Sequence, residues 1–416
     1  MNSSDKKLLE DMFHAAVAAA DPLEALKPYV PAKPKGRTIV IGAGKGAAQM
    51  ASAFETLWGE PVEGVVVTRY GYACATQNIK VLEASHPVPD AAGLVATEAL
   101  FEAVEDLNED DLVVSLICGG GSALLPAPLE GLTFEDEQEL NKALLASGAP
   151  ISAMNAIRKQ VSRIKGGRLA RAALPAKVVS LVVSDVPGDD PAQVASGPTV
   201  TDASDRKTAL DMISLYGIAL PDRVMSFLKA APEDAPAQPL GEVSVIASAS
   251  ISLEAAAALA RDHGVAPVIL SDAIEGEARD IGMMHAAISC EVCRRNQPFQ
   301  KPVVILSGGE TTVSIGAKPG GKGGRNSEFL LAFAGGVEDQ NVLALAADTD
   351  GIDGSEDNAG AFADGRSWSR MRHAGVDPAT LLSNHDAWTA FDAAGDLFVP
   401  GPTGTNVNDF RAILIR

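Results

Sequence analysis

Residues Arg37–Met50 read RTIVIGAGKGAAQM, and the fold turns on how this stretch is taken. Thr38–Ile41 is a short apolar run. It leads into Gly42-Ala-Gly-Lys-Gly46 and then into a helical pattern of small residues. Strand, tight turn and helix in this order open a βα unit of a doubly wound sheet. Gly42, Gly44 and Ala47 fit the dinucleotide pattern G-x-G-x-x-G/A, and Gly44 is then a phosphate-binding position. A P-loop is excluded by spacing, because no G-x-x-x-x-G-K-[ST] occurs. The dinucleotide reading also calls for an acid at the end of the second strand. Here Gly64–Thr68 runs into Arg69, which suits a 2′-phosphate, so NADP stays open. Neither pattern explains Lys45. A cation at a helix N-terminus is unfavourable unless an anion shares the site.

Outward from this unit, strand-like runs alternate with helical stretches. Strands are expected at Thr38–Ile41, Gly64–Thr68, Lys80–Glu83, Asp111–Cys118, Val178–Ser184, Val243–Ala247, Pro267–Leu270, Val303–Leu306, Val342–Ala347 and Ala412–Ile415. Several are continuous Val/Ile/Leu runs, the pattern of parallel strands covered on both faces. Helices are expected between them, among them Gly46–Trp58, Met154–Leu174 and Asp280–Arg295. The fold class is therefore α/β with doubly wound, mostly parallel sheets. Leu228–Val243 carries Pro232, Pro236 and Pro239, which fit neither a helix interior nor a central strand. The domain boundary is expected there, dividing the chain into 1–235 and 236–416.

The balance of 34 Lys and Arg against 54 Asp and Glu, a net charge of −20 over 416 residues, argues against nucleic acid and anionic membrane as partners. Residues 1–20 read as an amphipathic helix with Leu8, Leu9, Met12, Phe13, Ala16 and Val17 on one stripe, not as an export signal. Cys74, Cys118, Cys290 and Cys293 are expected to be thiols of a cytoplasmic protein, with Cys290-x-x-Cys293 two thiols on a helix.

Ligands of parallel sheets bind at the carboxyl ends of strands, so the strand exits map the site. They are GAGKG; Gly119-Gly120-Gly121-Ser122; Asp185–Thr199 with Asp189 and Ser196; Ser307-Gly308-Gly309-Glu310; and Asp348–Asp364. Glycines, carboxylates and hydroxyls in this mixture suit phosphate and Mg²⁺ better than an apolar ligand. Asp348, Asp350, Asp353 and Asp357 read either as cation ligands acting with nucleotide phosphates or as an acidic turn with Asx caps. Gly320–Ala334 brings Lys322 and Arg325 through four glycines to a helix start, a phosphoryl clamp or a hairpin tip. Asn155–Ala170 concentrates Arg158, Lys159, Arg163, Lys165 and Arg168. Arg158 and Lys165 are the candidates to face an anion, and a solvated basic stripe is the other reading. His86, in the Pro-rich turn Ala84–Asp90, reads equally as structural or functional.

GAGKG, SHPVPD, CGGGSALL, NAIRKQVSRIKGGRLA, SDVPGDDPAQVASGPT, SGGETTV, GGRNSEF and DTDGIDGSEDNAGAF, in this order, resemble the class II glycerate 2-kinases, which carry a C-terminal MOFRL domain. The resemblance runs nearly end to end. It implies ATP- and divalent-metal-dependent phosphorylation of D-glycerate to 2-phosphoglycerate. It also implies two Rossmann-like α/β/α domains with the active site in the cleft between them. Carried over by motif, Lys45 is the essential lysine and Arg325 the essential arginine, Asp189 lies in the acidic loop, and the DTDG motif offers Asp348 and Asp350 for the metal. Gly119–Ser122, Arg158, Ser196 and Gly308–Glu310 are then substrate or phosphate positions. Partners are expected to be glycerate and ATP, with a homodimer carried as an expectation. The sequence departs at Gln160, where the family often has His after Arg-Lys. Some relatives are labelled hydroxypyruvate reductases, so an NAD(P)H-dependent reductase is the alternative, with a non-catalytic nucleotide-sensing module as a third.

Overall fold

The computed structural model describes residues 2–230, 240–315 and 320–416. The chain forms two compact units, Pro22–Ile246 and Met1–Asp21 with Ala247–Arg416. The expected boundary at 235/236 lies outside the described residues. The division expected from it differs at both ends. The N-terminal helix Ser3–Ala19 belongs to the second unit, because its stripe of Leu8, Leu9, Met12, Phe13 and Ala16 packs with Leu253, Ala256, Phe410 and Leu414. The strand after the proline-rich stretch belongs to the first unit's sheet.

In the first unit the strands are β1 (Thr38–Ala43), β2 (Glu63–Arg69), β3 (Lys80–Ala84), β4 (Leu112–Ile117), β5 (Lys177–Val183) and β6 (Glu242–Ala247). Their order is β3-β2-β1-β4-β5-β6. The pairs β1–β2, β2–β3, β1–β4 and β4–β5 are parallel. This is the doubly wound order, whose strand sequence reverses between β1 and β4, and ligands gather outside that reversal. Ile39, Ile41, Val65, Val67, Val113 and Val178 share one core with Leu100 and Leu169 from the covering helices. The helix expected over Met154–Leu174 is two, Ile151–Lys159 and Arg168–Ala172. Gly166 (φ +66°) and Gly167 (φ +80°) adopt the left-handed conformation that interrupts it.

In the second unit the strands are β7 (Ala266–Ser271), β8 (Gly276–Glu277), β9 (Val303–Ser307), β10 (Thr311–Thr312), β11 (Val342–Asp348), β12 (Gly360–Asp364), β13 (Leu397–Phe398) and β14 (Asp409–Ile415). The main sheet runs β13-β12-β11-β14-β9-β7, and β8 and β10 form a separate ribbon. Here the expectation of a mostly parallel sheet is corrected. Of the five pairs only β7–β9 is parallel; β9–β14, β14–β11, β11–β12 and β12–β13 are antiparallel. Strands β9, β11, β12 and β14 are buried throughout. Continuous apolar sequence reports burial on both faces, whichever way the neighbour runs.

No helix among the described residues is long and apolar enough to cross a membrane. All four cysteines are unpaired thiols, and Cys290 and Cys293 lie on the helix Ala278–Arg295.

Candidate active site

The GAGKG turn leaves β1 at the reversal point, but its backbone is not a phosphate cradle. The Gly44 N–H donates to Val67 O (3.1 Å), Lys45 N–H to Gly119 O (2.8 Å) and Gly46 N–H to the Cys118 sulfur (3.1 Å). The role expected for Gly44 in binding phosphate is thereby corrected. Gly44 has φ +137°, and a side chain there would collide with the Cys118 carbonyl and Sγ. The glycine lets the β1 and β4 exits close on each other. Burial pushes the Cys118 thiol up to about 12, so it stays a neutral packing group. What the turn presents is the half-buried Lys45 side chain. No carboxylate lies within ion-pair distance of it among the described residues. A Cβ on Gly120 (φ +80°) would sit 3.0 and 3.1 Å from Lys45 Cγ and Cε and 3.2 Å from His86 Cδ2, so both side chains flank that glycine.

Beneath the Gly119–Ser122 turn lies a polar chain. Ser122 Oγ meets Ser196 Oγ at 2.6 Å. Ser196 Oγ donates to Asn155 Oδ1 (2.9 Å), which also accepts from Arg158 Nη1 (3.1 Å). Arg158 Nε donates to Asn141 Oδ1 (2.9 Å). Arg158 is buried and among the described residues its guanidinium bonds neutral amides only, so desolvation lowers its pKa to about 10, partly offset by Glu137. Ala195, Ser196 and Gly197 all have positive φ, of 53°, 60° and 59°. Three consecutive left-handed residues, two with a Cβ, store strain, and such strain clusters at functional sites. Ser122, Arg158 and Ser196 lie in separate motifs of the sequence, and the fold connects them. It does not include Lys165, whose ammonium donates to Leu125 O (2.7 Å) and pairs with Glu137 (3.0 Å) in the core. Lys159 pairs with Asp202 and Arg163 with Glu98. Gln160 is buried and donates to Ser204 O (3.2 Å).

Asp189 closes the turn Pro187–Asp189 with φ +53°. Its carboxylate has no protein hydrogen bond among the described residues. The carboxylate of Asp185, passed over in the sequence reading, lies directly against Gly119, where a Cβ would strike it. Its signal was its place as the first acid after β5.

In the second unit Arg325 opens the helix Arg325–Gly336. Its Nε donates to Asp409 (2.6 Å), Nη1 to Glu310 (2.8 Å) and Nη2 to Asp348 (2.7 Å). Three of five N–H bonds are committed, leaving one on each Nη. Burial disfavours its charge, but Asp409, Asp348 and Glu310 outweigh burial and raise its pKa, so it stays cationic. Burial raises Asp348 well above the usual carboxylate range despite Arg325. Asp409 also pairs with the fully buried Arg411 and accepts from Asn326 Nδ2 (2.8 Å). Asp409 and Arg411 were missed. They stand two apart at the head of β14, hence on one face, ahead of an apolar run.

Asp353 is a helix cap: it accepts the Asn326 N–H (2.9 Å), the Ser327 N–H (2.8 Å) and the Ser327 hydroxyl. The Asx-cap reading holds for this aspartate. Asp353→Ala would leave buried helix-start donors unpaired and is expected to cost about 2–3 kcal/mol, read as a lower urea midpoint. The Gly308 N–H donates to Ser271 O (2.9 Å), which corrects its expected role as a phosphate donor. Gly309 (φ +114°) passes so close to Ile274 that only glycine fits.

Two family descriptions match the chain: a domain of unknown function (DUF4147) over residues 8–229 and the MOFRL family over residues 303–409. A glycerate 2-kinase of Pyrococcus horikoshii is 40% identical over 420 residues, covering 96% of this chain and 95% of that protein. The crystal structure of a glycerate kinase of Thermotoga maritima matches with a TM-score of 0.91 at 38% identity, and both chains are covered in full. This chain belongs to the MOFRL-domain glycerate 2-kinase family. A protein of Agrobacterium vitis provisionally named hydroxypyruvate reductase is 52% identical over 415 residues, 99% of this chain and 95% of that protein. The reductase name therefore occurs among full-length relatives.

For a family of kinases the acidic loop must be tested as a cation site. No cluster of three or more candidate ligands is arranged to hold a metal among the described residues. Asp348 Oδ1 accepts the Asp350 N–H (3.1 Å), and Asp350 Oδ1 accepts the Ile352 N–H (2.8 Å). Asp350 Oδ2 has no protein partner among the described residues. This donor set fits a Mg²⁺ that brings phosphate and water ligands of its own, and it does not make a protein cage.

Proposed function

We propose that this protein transfers the γ-phosphoryl group of ATP to the C2 hydroxyl of D-glycerate, giving 2-phosphoglycerate and ADP. The observation that carries the reading is Lys45. A half-buried ammonium with no carboxylate in ion-pair reach among the described residues stands at the strand-order reversal of a doubly wound sheet, in a chain of net charge −20. An anion that comes and goes supplies the missing counter-charge. The glycerate kinase names of the full-length relatives identify the reaction.

Phosphoryl transfer needs alignment and charge neutralisation more than covalent help. The glycerate C2 oxygen attacks the γ-phosphorus, and the bond from that phosphorus to the β–γ bridging oxygen breaks. Asp189, its carboxylate open, orients the hydroxyl and takes its proton. Lys45 stabilises charge on the transferring group, and the two remaining Nη hydrogens of Arg325 are open to an anionic oxygen. Ser122 and Ser196, braced by Asn155 and Arg158, donate to anionic oxygens. Asp348 and Asp350 would hold the divalent cation that offsets charge on the ATP phosphates.

The committed N–H groups of GAGKG and the absence of an acid after β2 both weigh against a dinucleotide pyrophosphate on that turn. Purified protein given D-glycerate and MgATP is expected to release ADP only when glycerate is present. A parallel reaction with NAD(P)H and hydroxypyruvate is expected to leave the nicotinamide unoxidised. Oxidation without ADP release would replace the kinase with the reductase, and neither activity would favour a binding module.

A further inference from the structure

The exits of β1, β2 and β3 are adjacent in the first sheet, and each delivers one basic side chain: Lys45, Arg69 and His86. Arg69 is paired in register with Ala84, two residues before His86. Thr68, just before Arg69, donates its hydroxyl to Lys45 O (2.9 Å), which ties the first two exits together. We propose that Arg69, beside Lys45 and His86, holds the carboxylate of the phosphoryl acceptor. This rests on the kinase reading and adds what that reading leaves open, the group that selects an acid over a neutral polyol.

Three features support the assignment. The guanidinium of Arg69 lies 3.8 Å from the centre of the Tyr72 ring, and the Tyr72 carbonyl is fixed by Gln49 Nε2 (3.1 Å). Contact with the ring restrains the guanidinium, and a restrained planar fork matches a carboxylate in two-point contact. Secondly, the neighbouring acids are engaged elsewhere. Glu83 accepts the Gly71 N–H (2.7 Å), and Asp90 accepts the Tyr70 hydroxyl (2.7 Å) and the Gly93 N–H (3.1 Å). No carboxylate lies within ion-pair distance of Arg69 among the described residues. Thirdly, His86 feels both cations. Burial, then Lys45, then Arg69 lower its pKa to about 4. At neutral pH it is an uncharged ring beside two cations, so the three residues carry two positive charges. A monocarboxylate on Arg69 leaves Lys45 for the phosphoryl group.

Steady-state kinetics of wild type, Arg69→Gln and Arg69→Lys, with D-glycerate and ATP varied separately, test this. Arg69→Gln is expected to raise KM for D-glycerate about tenfold or more, because a charge-assisted contact is lost, and to leave KM for ATP within about twofold. Arg69→Lys keeps the charge without the fork and should fall between. D-Lactate, which keeps the carboxylate and the C2 hydroxyl, should bind wild type measurably by calorimetry and Arg69→Gln more weakly by a similar factor. A rise in KM for ATP alone, or unchanged values for both substrates, would overturn the assignment. If Arg69→Gln fails to fold, Arg69→Lys decides, since an unchanged KM for glycerate in it is equally fatal. An inactive wild type would sink the kinase reading and this inference together, whereas an active wild type with an unaffected Arg69→Gln sinks this inference alone.

Discussion

Lys45→Met is expected to lower kcat by about a thousandfold while leaving the thermal midpoint unchanged or slightly raised. The two halves of this expectation have one cause. Lys45 has no carboxylate partner among the described residues, so its removal leaves no buried charge there unpaired. It also removes a cation that helps to depress the His86 pKa, so charging His86 at low pH costs less. A donor aimed at charge that develops only in the transition state is worth about 10²–10³ in rate. The kinetic loss should therefore fall on kcat more than on either KM. Histidine NMR gives a readout independent of turnover, since the His86 pKa should rise from about 4 towards its ordinary value without reaching it, because burial is the larger cause. The sign for stability follows. The lowered pKa of folded His86 contributes stability that is present above the unfolded value of 6.5 and lost as pH falls towards 4. Lys45→Met should narrow that loss. Near-normal turnover with a shifted His86 would remove Lys45 from the mechanism without disturbing its placement.

The first unit was largely legible because its signals are local. Thr38–Ile41, Gly64–Thr68 and Asp111–Cys118 are short apolar runs ending in glycine or a base, and each became a strand with its exit where expected. Two kinds of information were not local. Strand direction in the second unit depends on how connections return, and buried antiparallel strands such as β11 and β14 look like parallel ones in sequence. Partner identity was the other. Lys165 and Arg158 belong to one basic stretch, yet Glu137 pairs with the first while the second bonds the amides of Asn141 and Asn155. Nothing in the spacing separates them. In the acidic loop Asp348 pairs with Arg325, Asp350 closes its own turn and Asp353 caps a helix, three roles for one residue type within six positions. The GAGKG turn went the same way: its glycines were recognisable, but their use for packing against Cys118 depends on a residue far along the chain.

Arg325→Met is expected to abolish measurable turnover and also to destabilise the protein, the reverse of the Lys45 result in its second half. Arg325 is enclosed by Asp409, Asp348 and Glu310. Glu310 is half exposed and loses little. Asp409 keeps Arg411. Asp348 is buried and loses its ion pair, and breaking one partner of a buried pair costs about 3–5 kcal/mol. The deficit should depend on pH in a definite direction. Folded Asp348 already has a pKa above the unfolded value of 3.8, and removing Arg325 raises it further. The stability tied to its protonated form is fully present below the unfolded pKa and is lost as pH rises through the folded one. The gap in thermal midpoint between wild type and Arg325→Met should therefore be widest near neutrality and close as pH falls towards 4. Adding Asp348→Asn should recover most of the midpoint, because the uncompensated charge is gone, and none of the activity, because the Arg325 guanidinium is still missing. A double variant that regained turnover would reduce Arg325 to a scaffold for its carboxylates. A single variant that turned over normally, with only its midpoint lowered, would do the same.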